Sequence, residues 1–199
     1  MPVPIILASG SAIRAQMLES AFVPFEVIRP RVDEDSVKQS LLAEEASPRD
    51  IAGALAELKA RKVSEKRPEA FVIGSDQVLD FKGRLLSKPE TPEQALEQLS
   101  EMRGKRHSLF SAVVICEAGR PIWRHIGQVR LQVRNLSDAY LEDYVSRNWS
   151  SIRHAVGAYK LEEEGVRLFS AIDGDYFSVL GMPLTDLLNF LALRGAIET

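Results

Sequence analysis

Apolar positions recur along this chain in two rhythms. Ile5-Leu7, Phe71-Ile73 and Val113-Cys116 are apolar at successive positions, as strands covered on both faces are. Elsewhere the spacing is helical: Ile51, Leu55 and Leu58 share one face of a segment running from Ser47 to Val63, and Ser47-Pro48 supplies its start. Thr91-Pro92-Glu93 opens a second helix carrying Ala95, Leu99 and Met102 on one face, and Gly104 closes it. Ser137 caps a third that reaches Val145, with Tyr140, Leu141 and Tyr144 together, and Leu184, Leu187, Leu188 and Leu191 mark a last one after Pro183.

Turn residues join some of these elements directly. Lys82-Gly83 lies between two apolar runs and predicts a hairpin, and Glu117-Ala118-Gly119 predicts that the strand ending at Cys116 is antiparallel to the next. Alternating strands and helices with such hairpins predict a mixed α/β (α+β) fold. No stretch is long or polar enough to act as a linker, so residues 1–199 read as a single domain with a cleft.

Composition narrows the function classes. With 25 Lys and Arg against 28 Asp and Glu, the net charge of −3 lacks the basic surplus that binding a nucleic-acid backbone needs. No apolar run approaches the ~18 residues that span a bilayer. The opening PVPIILASGS has no basic segment and reads as a first strand, not a signal peptide. The single cysteine, Cys116, sits in an apolar run and reads as a small buried hydrophobe. Together these features predict a cytoplasmic protein without membrane or nucleic-acid partners.

Chemistry is suggested at a few places. Ile5-Leu7 runs through Ala8-Ser9-Gly10-Ser11 into a helical stretch with Arg14, and a strand-to-helix turn of small residues favours an anion at the helix N-terminus. Arg14 would add a forked donor for phosphate. Ile73-Gly74-Ser75-Asp76-Gln77 reads as an apolar strand ending in a carboxylate, which could hold a metal ion or orient water. Lys59 and Lys88 could neutralise a polyphosphate, and Asp33-Glu34-Asp35 reads in isolation as a solvated charge run. No GxxxxGK[ST], GxGxxG or HExxH motif is present, and the three histidines lack metal-ligand spacing.

Taken together, these segments resemble the Maf family of nucleoside triphosphate pyrophosphatases over nearly the whole chain. Leu7 to Arg14 corresponds to the family's LASxSPRR, Asp33-Glu34 to its acidic pair, and Lys59 to its helix lysine. Gly74-Ser75-Asp76 and Lys88-Pro89 match the central motifs, and Gly104 to His107 with Ser111 matches G-x-x-H and the hydroxyl after it. Gly157-Ala158-Tyr159, Gly174-Asp175-Tyr176 and Val179 to Leu184 match the closing segments. The resemblance implies an inosine triphosphate pyrophosphatase-like elongated mixed sheet with flanking helices and a nucleotide cleft between two lobes. It further implies hydrolysis of a nucleoside triphosphate to the monophosphate and pyrophosphate with a divalent metal cation, Mg²⁺ or Mn²⁺. In that scheme Asp76 accepts the proton, Glu34 and Asp76 hold the metal, and Ser9, Ser11, Arg14, Lys59 and Lys88 bind phosphates. A homodimer is implied by the family alone.

Three positions bear on the base. The dTTP/UTP branch of the family carries arginine, threonine and glutamine where this chain has Ile13, Gln77 and Glu162; Gln77 and Glu162 instead resemble the branch acting on 7-methyl-GTP, while Ala12 and Ile13 depart from the usual pattern. A glutamate accepts the two donors of guanine's Watson–Crick edge and favours the positive charge of a 7-methylated ring. The alternatives are a dTTP/UTP or broad modified-nucleotide pyrophosphatase, and a non-catalytic nucleotide-binding regulator of cell division.

Overall fold

Strand β1 (Ile5–Ala8) turns into helix α1 (Ala12–Ser20), and β2 (Glu26–Val27) and α2 (Glu34–Ala43) follow. Then come α3 (Pro48–Ser64), β3 (Phe71–Phe81), β4 (Arg84–Leu86), α4 (Pro92–Met102), β5 (Arg106–Glu117) and β6 (Arg120–Val133). The chain ends with α5 (Asp138–Ile152), β7 (Phe169–Asp173), α6 (Tyr176–Val179) and α7 (Leu184–Leu193). The computed structural model describes residues 3–198.

The seven strands form one sheet in the order β2-β1-β3-β5-β6-β7, with β4 beside the far end of β3. The β1 pairings are parallel and the others antiparallel, so the sheet is mixed as its sequence predicted. Both expected hairpins form. Lys82-Gly83 and Ala118-Gly119 have φ of 57°, 81°, 48° and 75°, the two positive values in succession that match a turn to the twist of its strands. The expected helix starts also hold: Ser47, Thr91 and Ser137 each accept a hydrogen bond from a backbone N–H three residues on.

Two readings change, the ends of β3 and of α5. Strand β3 does not end at Asp76 but continues to Phe81, because Ser75 and Asp76 pair with Val113 and Ala112 on β5. A charge is tolerated in mid-strand because a cation meets it there. Asp33-Glu34-Asp35 is exposed, as a solvated charge run is, and Asp33 also accepts from the Ser36 amide and starts α2. Helix α5 runs on to Ile152, which is buried. Ser11 occupies the cap position of α1, but its side chain makes no capping bond; Ser9 Oγ instead accepts from the Ser11 amide at 3.1 Å.

Packing divides the sheet lengthwise. Along one face, Ile73, Val113 and Ile115 lie under α1 and α7, while further along the same strands Leu79 and Leu109 lie under α4 and α5. The opposite face carries Val72, Val78, Ala112 and Val114 against Ile51, Leu55, Ala56 and Ala60 of α3. Between the two cores of the first face the β3 side chains are Ser75 and Gln77, a polar seam. Cys116 is buried, and burial pushes its thiol up to about 11, so it behaves as the expected hydrophobe.

His107, 2% exposed, shares a 2.8 Å hydrogen bond with Tyr159 through Nε2, and its Nδ1 has no partner. Burial lowers its pKa to about 4. The unfolded chain takes up this proton near pH 6.5 and the folded chain does not, so stability falls as pH drops from 6.5 towards 4, by roughly 3 kcal/mol in all. Denaturant melts across that window are expected to show a shallower decline for His107→Gln than for the wild type. Equal slopes would remove His107 from the account.

Candidate active site

The site follows from an interruption in the sheet. Strand β1 pairs with β3 only as far as Ala8 opposite Gly74, and antiparallel β4 reaches β3 only at Leu86 opposite Leu79, where β4 ends. On that side β3 therefore has an open edge from Ser75 to Val78, while its other side is paired to β5 throughout. Ser9, Gly10 and Ser11 flank the gap from one end, and Ser87 and Lys88 flank it from the other. The period of two in a strand sends Asp76 to the α3 face and Ser75 and Gln77 to the α1 face, so the gap reaches both.

On the α3 face, Lys59 is 6% exposed and its Nζ lies 2.7 Å from Asp76 Oδ1 and 2.9 Å from Glu34 Oε2. Gly74 makes this possible: Ala56 and Ala60 of α3 press directly on it, which brings Lys59, between them in sequence, over Asp76. Desolvating one ammonium and a carboxylate is costly, and the second carboxylate offsets that cost only because all three groups touch. Glu34, on the first turn of α2, is half-exposed and faces the opening. No group of three or more Asp, Glu, His or Cys placed to hold a metal ion exists among the described residues. The Glu34 and Asp76 pair nevertheless matches a hard cation that takes one or two carboxylates and completes its shell with phosphate and water oxygens.

On the other face Arg14 fills part of the gap. Its Nε donates to the Gly181 carbonyl at 2.9 Å and its Nη1 to the Ser75 carbonyl at 3.0 Å, with Ser9 Oγ at 3.5 Å. Burial lowers its pKa, and attraction to Asp76 and Glu34 opposes that shift. Among the described residues no carboxylate forms an ion pair with Arg14, whose bonds go to carbonyl and hydroxyl oxygens. Lys88 is exposed at the far flank, on a segment anchored where Gln98 donates to the Ser87 carbonyl.

The base-determining candidates separate. Ile13 and Glu162 line a common cavity of about 550 Å³ with Tyr176 and Leu180, beside α1 and α7. Its wall is shared with the gap, since Ile13 and Leu180 precede the bonded pair Arg14 and Gly181. Of the three consecutive acids, Glu164 is held by Arg147 and Asn148, which lower its pKa to about 2, and Glu163 by Ser151 and Lys160. Glu162 alone lines the cavity. Gln77 does not line it: its amide nitrogen lies within 3.0 Å of Ser111 Oγ and the Ser178 and Val179 carbonyls, turned into the seam beneath α6.

The structure thus brings Ser9, Arg14, Glu34, Lys59 and Asp76 to one gap, with Ser11 and Lys88 at its ends and Ile13 and Glu162 in the adjoining cavity. Tyr176 was matched in sequence only as part of a motif; its signal was the capping Asp175 before a short aromatic pair.

A mixed α/β sheet opened at mid-strand, with a carboxylate–ammonium–carboxylate cluster on one face and a guanidinium on the other, defines a cleft protein for an anionic ligand. The chain belongs to the Maf family: the family model described as "Maf-like protein" matches residues 4–193. It is 71% identical to the nucleoside triphosphate pyrophosphatase of Ruegeria pomeroyi over 100% of both chains. The proteins of the same name from Roseobacter denitrificans and Caulobacter vibrioides are 66% and 53% identical, covering 98% of this chain and 98% and 97% of their own.

Proposed function

We propose that this protein hydrolyses a nucleoside triphosphate to the monophosphate and pyrophosphate, with 7-methyl-GTP as its preferred substrate. The observation that carries the reading is the convergence of Glu34, Lys59 and Asp76 on the open edge of β3. A ligand-binding cleft has no need of a water-activating carboxylate held against a buried cation. Relatives carrying the pyrophosphatase name across the full chain support the same activity.

The triphosphate enters the gap, where Ser9, Ser11, Arg14 and Lys88 hold its oxygens and Ser75 to Val78 present open backbone. Asp76 accepts a proton from the water that attacks the α-phosphorus, and the bond to the departing pyrophosphate breaks. Lys59 holds Asp76 in place, and Arg14 faces the charge that develops on the leaving group. Glu34 and Asp76 would hold a divalent cation such as Mg²⁺ or Mn²⁺, which would add to the neutralisation of the triphosphate. Residues 1–199 act as one unit in this scheme, in the cytoplasm, where a lone unpaired cysteine is at home.

Glu162 supports the choice of base. It is an acid in an otherwise largely apolar cavity next to the phosphate gap, suited to guanine's donor edge and to a cationic ring. Pyrophosphate release from 7-methyl-GTP, GTP, UTP, dTTP and CTP is expected to rank 7-methyl-GTP first, by about 10-fold or more over the pyrimidine nucleotides. In Glu162→Gln that ranking is expected to collapse. A wild type that prefers a pyrimidine, or a Glu162→Gln variant with an unchanged ranking, would overturn the substrate assignment.

A further inference from the structure

The cavity contains an aromatic ring held in an unusual way. Tyr176 is 48% exposed and lines the cavity with Ile13 and Glu162, and the Phe177 ring meets it edge-on at 5.8 Å and 71°. It stands on α6, a helix of only four residues that hydrogen bonds of its own would not hold. Bonds from outside hold it instead. Asp175 caps it through the Ser178 amide at 2.7 Å and the Ser178 hydroxyl at 2.8 Å. Ser111 donates to the Ser178 carbonyl at 2.6 Å, and Gln77 reaches the Ser178 and Val179 carbonyls at 3.0 Å. Immediately after it, the Gly181 carbonyl accepts from Ser75 Oγ and Arg14 Nε at 2.9 Å each.

An exposed ring on a segment fixed this thoroughly has lost its backbone freedom without gaining burial. That arrangement suits a surface prepared for a flat ligand. It also supplies what Glu162 lacks: a carboxylate fixes one edge of a purine but leaves the ring free to swing about that edge, and a stacking surface fixes its plane.

We propose that Tyr176 is the platform on which the nucleobase stacks, with Gln77 and Ser111 as positioning residues that hold the platform opposite Glu162. This rests on the base occupying the Ile13 and Glu162 cavity. The π-face of a phenol is electron-rich and favours a cationic purine over a neutral one, so platform and carboxylate select the same ligand. Gln77 then influences the choice of base without touching it, through the two carbonyls it secures.

The test compares KM and kcat of wild type, Tyr176→Phe and Tyr176→Ala on 7-methyl-GTP, with inhibition by inorganic pyrophosphate, which has no base, measured beside them. Tyr176→Ala is expected to raise KM roughly 10-fold with little change in kcat, a loss typical of one base stacked on an aromatic. Tyr176→Phe is expected to retain the wild-type KM, and pyrophosphate inhibition to be equal in all three. An unchanged KM in Tyr176→Ala, a Phe variant as impaired as Ala, or a parallel loss of pyrophosphate inhibition would each overturn the platform. Should the wild type prefer another nucleotide, the base assignment fails by itself, and the same comparison on that preferred nucleotide still decides the role of Tyr176.

Discussion

Asp76→Asn is expected to lower kcat/KM for pyrophosphate release by about 10³-fold, the middle of the range that a general base contributes. That corresponds to roughly 4 kcal/mol of transition-state stabilisation. The substitution preserves shape and one acceptor oxygen but removes the charge that takes up a proton. Folding should survive it. Lys59 is normally neutralised from two sides, and Glu34 remains 2.9 Å away after Asp76 loses its charge. The usual penalty of ~3–5 kcal/mol for stranding one partner of a buried pair is therefore largely avoided. Thermal melting within a few degrees of the wild type, alongside lost turnover, is the predicted pairing. Substantial turnover in a folded Asp76→Asn protein would sink its role as the base; loss of turnover accompanied by collapse of the melt would instead assign Asp76 to the fold.

Much of this site was legible before any coordinates because its parts sit at positions that the chain marks locally. Apolar run, small residues and helix announced the strand-to-helix turn at Ser9 to Arg14, and helix caps at Ser47, Thr91 and Ser137 were readable because a cap is a contact between residues three apart. What could not be read was set by neighbours distant in sequence. Asp76 looked like the end of a strand, since a charge in mid-strand is unfavourable alone; only Lys59, 17 residues earlier, makes it tolerable. The open edge of β3 depends on where β1 and β4 stop, and no local pattern states either register. Gln77 was expected to bear on the choice of base, and nothing local announced its partners 34, 101 and 102 residues away, on β5 and α6. Helix α2 has no buried residue and thus no apolar stripe to announce it.

Gly74→Ala is expected to be the most destabilising single methyl that the chain can receive near its site. A Cβ there would lie 2.1 Å from the Ala56 carbonyl oxygen, 2.6 Å from the Ala60 nitrogen and 2.8 Å from the Ala60 Cβ. Two of these are backbone atoms of α3, so no side chain can rotate aside, and the helix must move away from the sheet as a body. Overpacking that forces backbone shifts costs ~3 kcal/mol or more, which at this chain length lowers Tm by roughly 10 °C. The displacement also acts on chemistry, because α3 carries Lys59 and its 2.7 Å contact with Asp76 depends on that close approach. Turnover per folded molecule should therefore fall together with Tm. Gly83→Ala is the control: its added Cβ meets nothing within 4 Å, and its φ of +81° costs only about 1–2 kcal/mol of backbone strain. Measured by calorimetry and by pyrophosphate release, the Gly74 variant should lose far more than the Gly83 variant on both counts. Equal melts for the two would mean that α3 yields easily, and then the rigid placement of Lys59 over Asp76 could not be what the glycine provides.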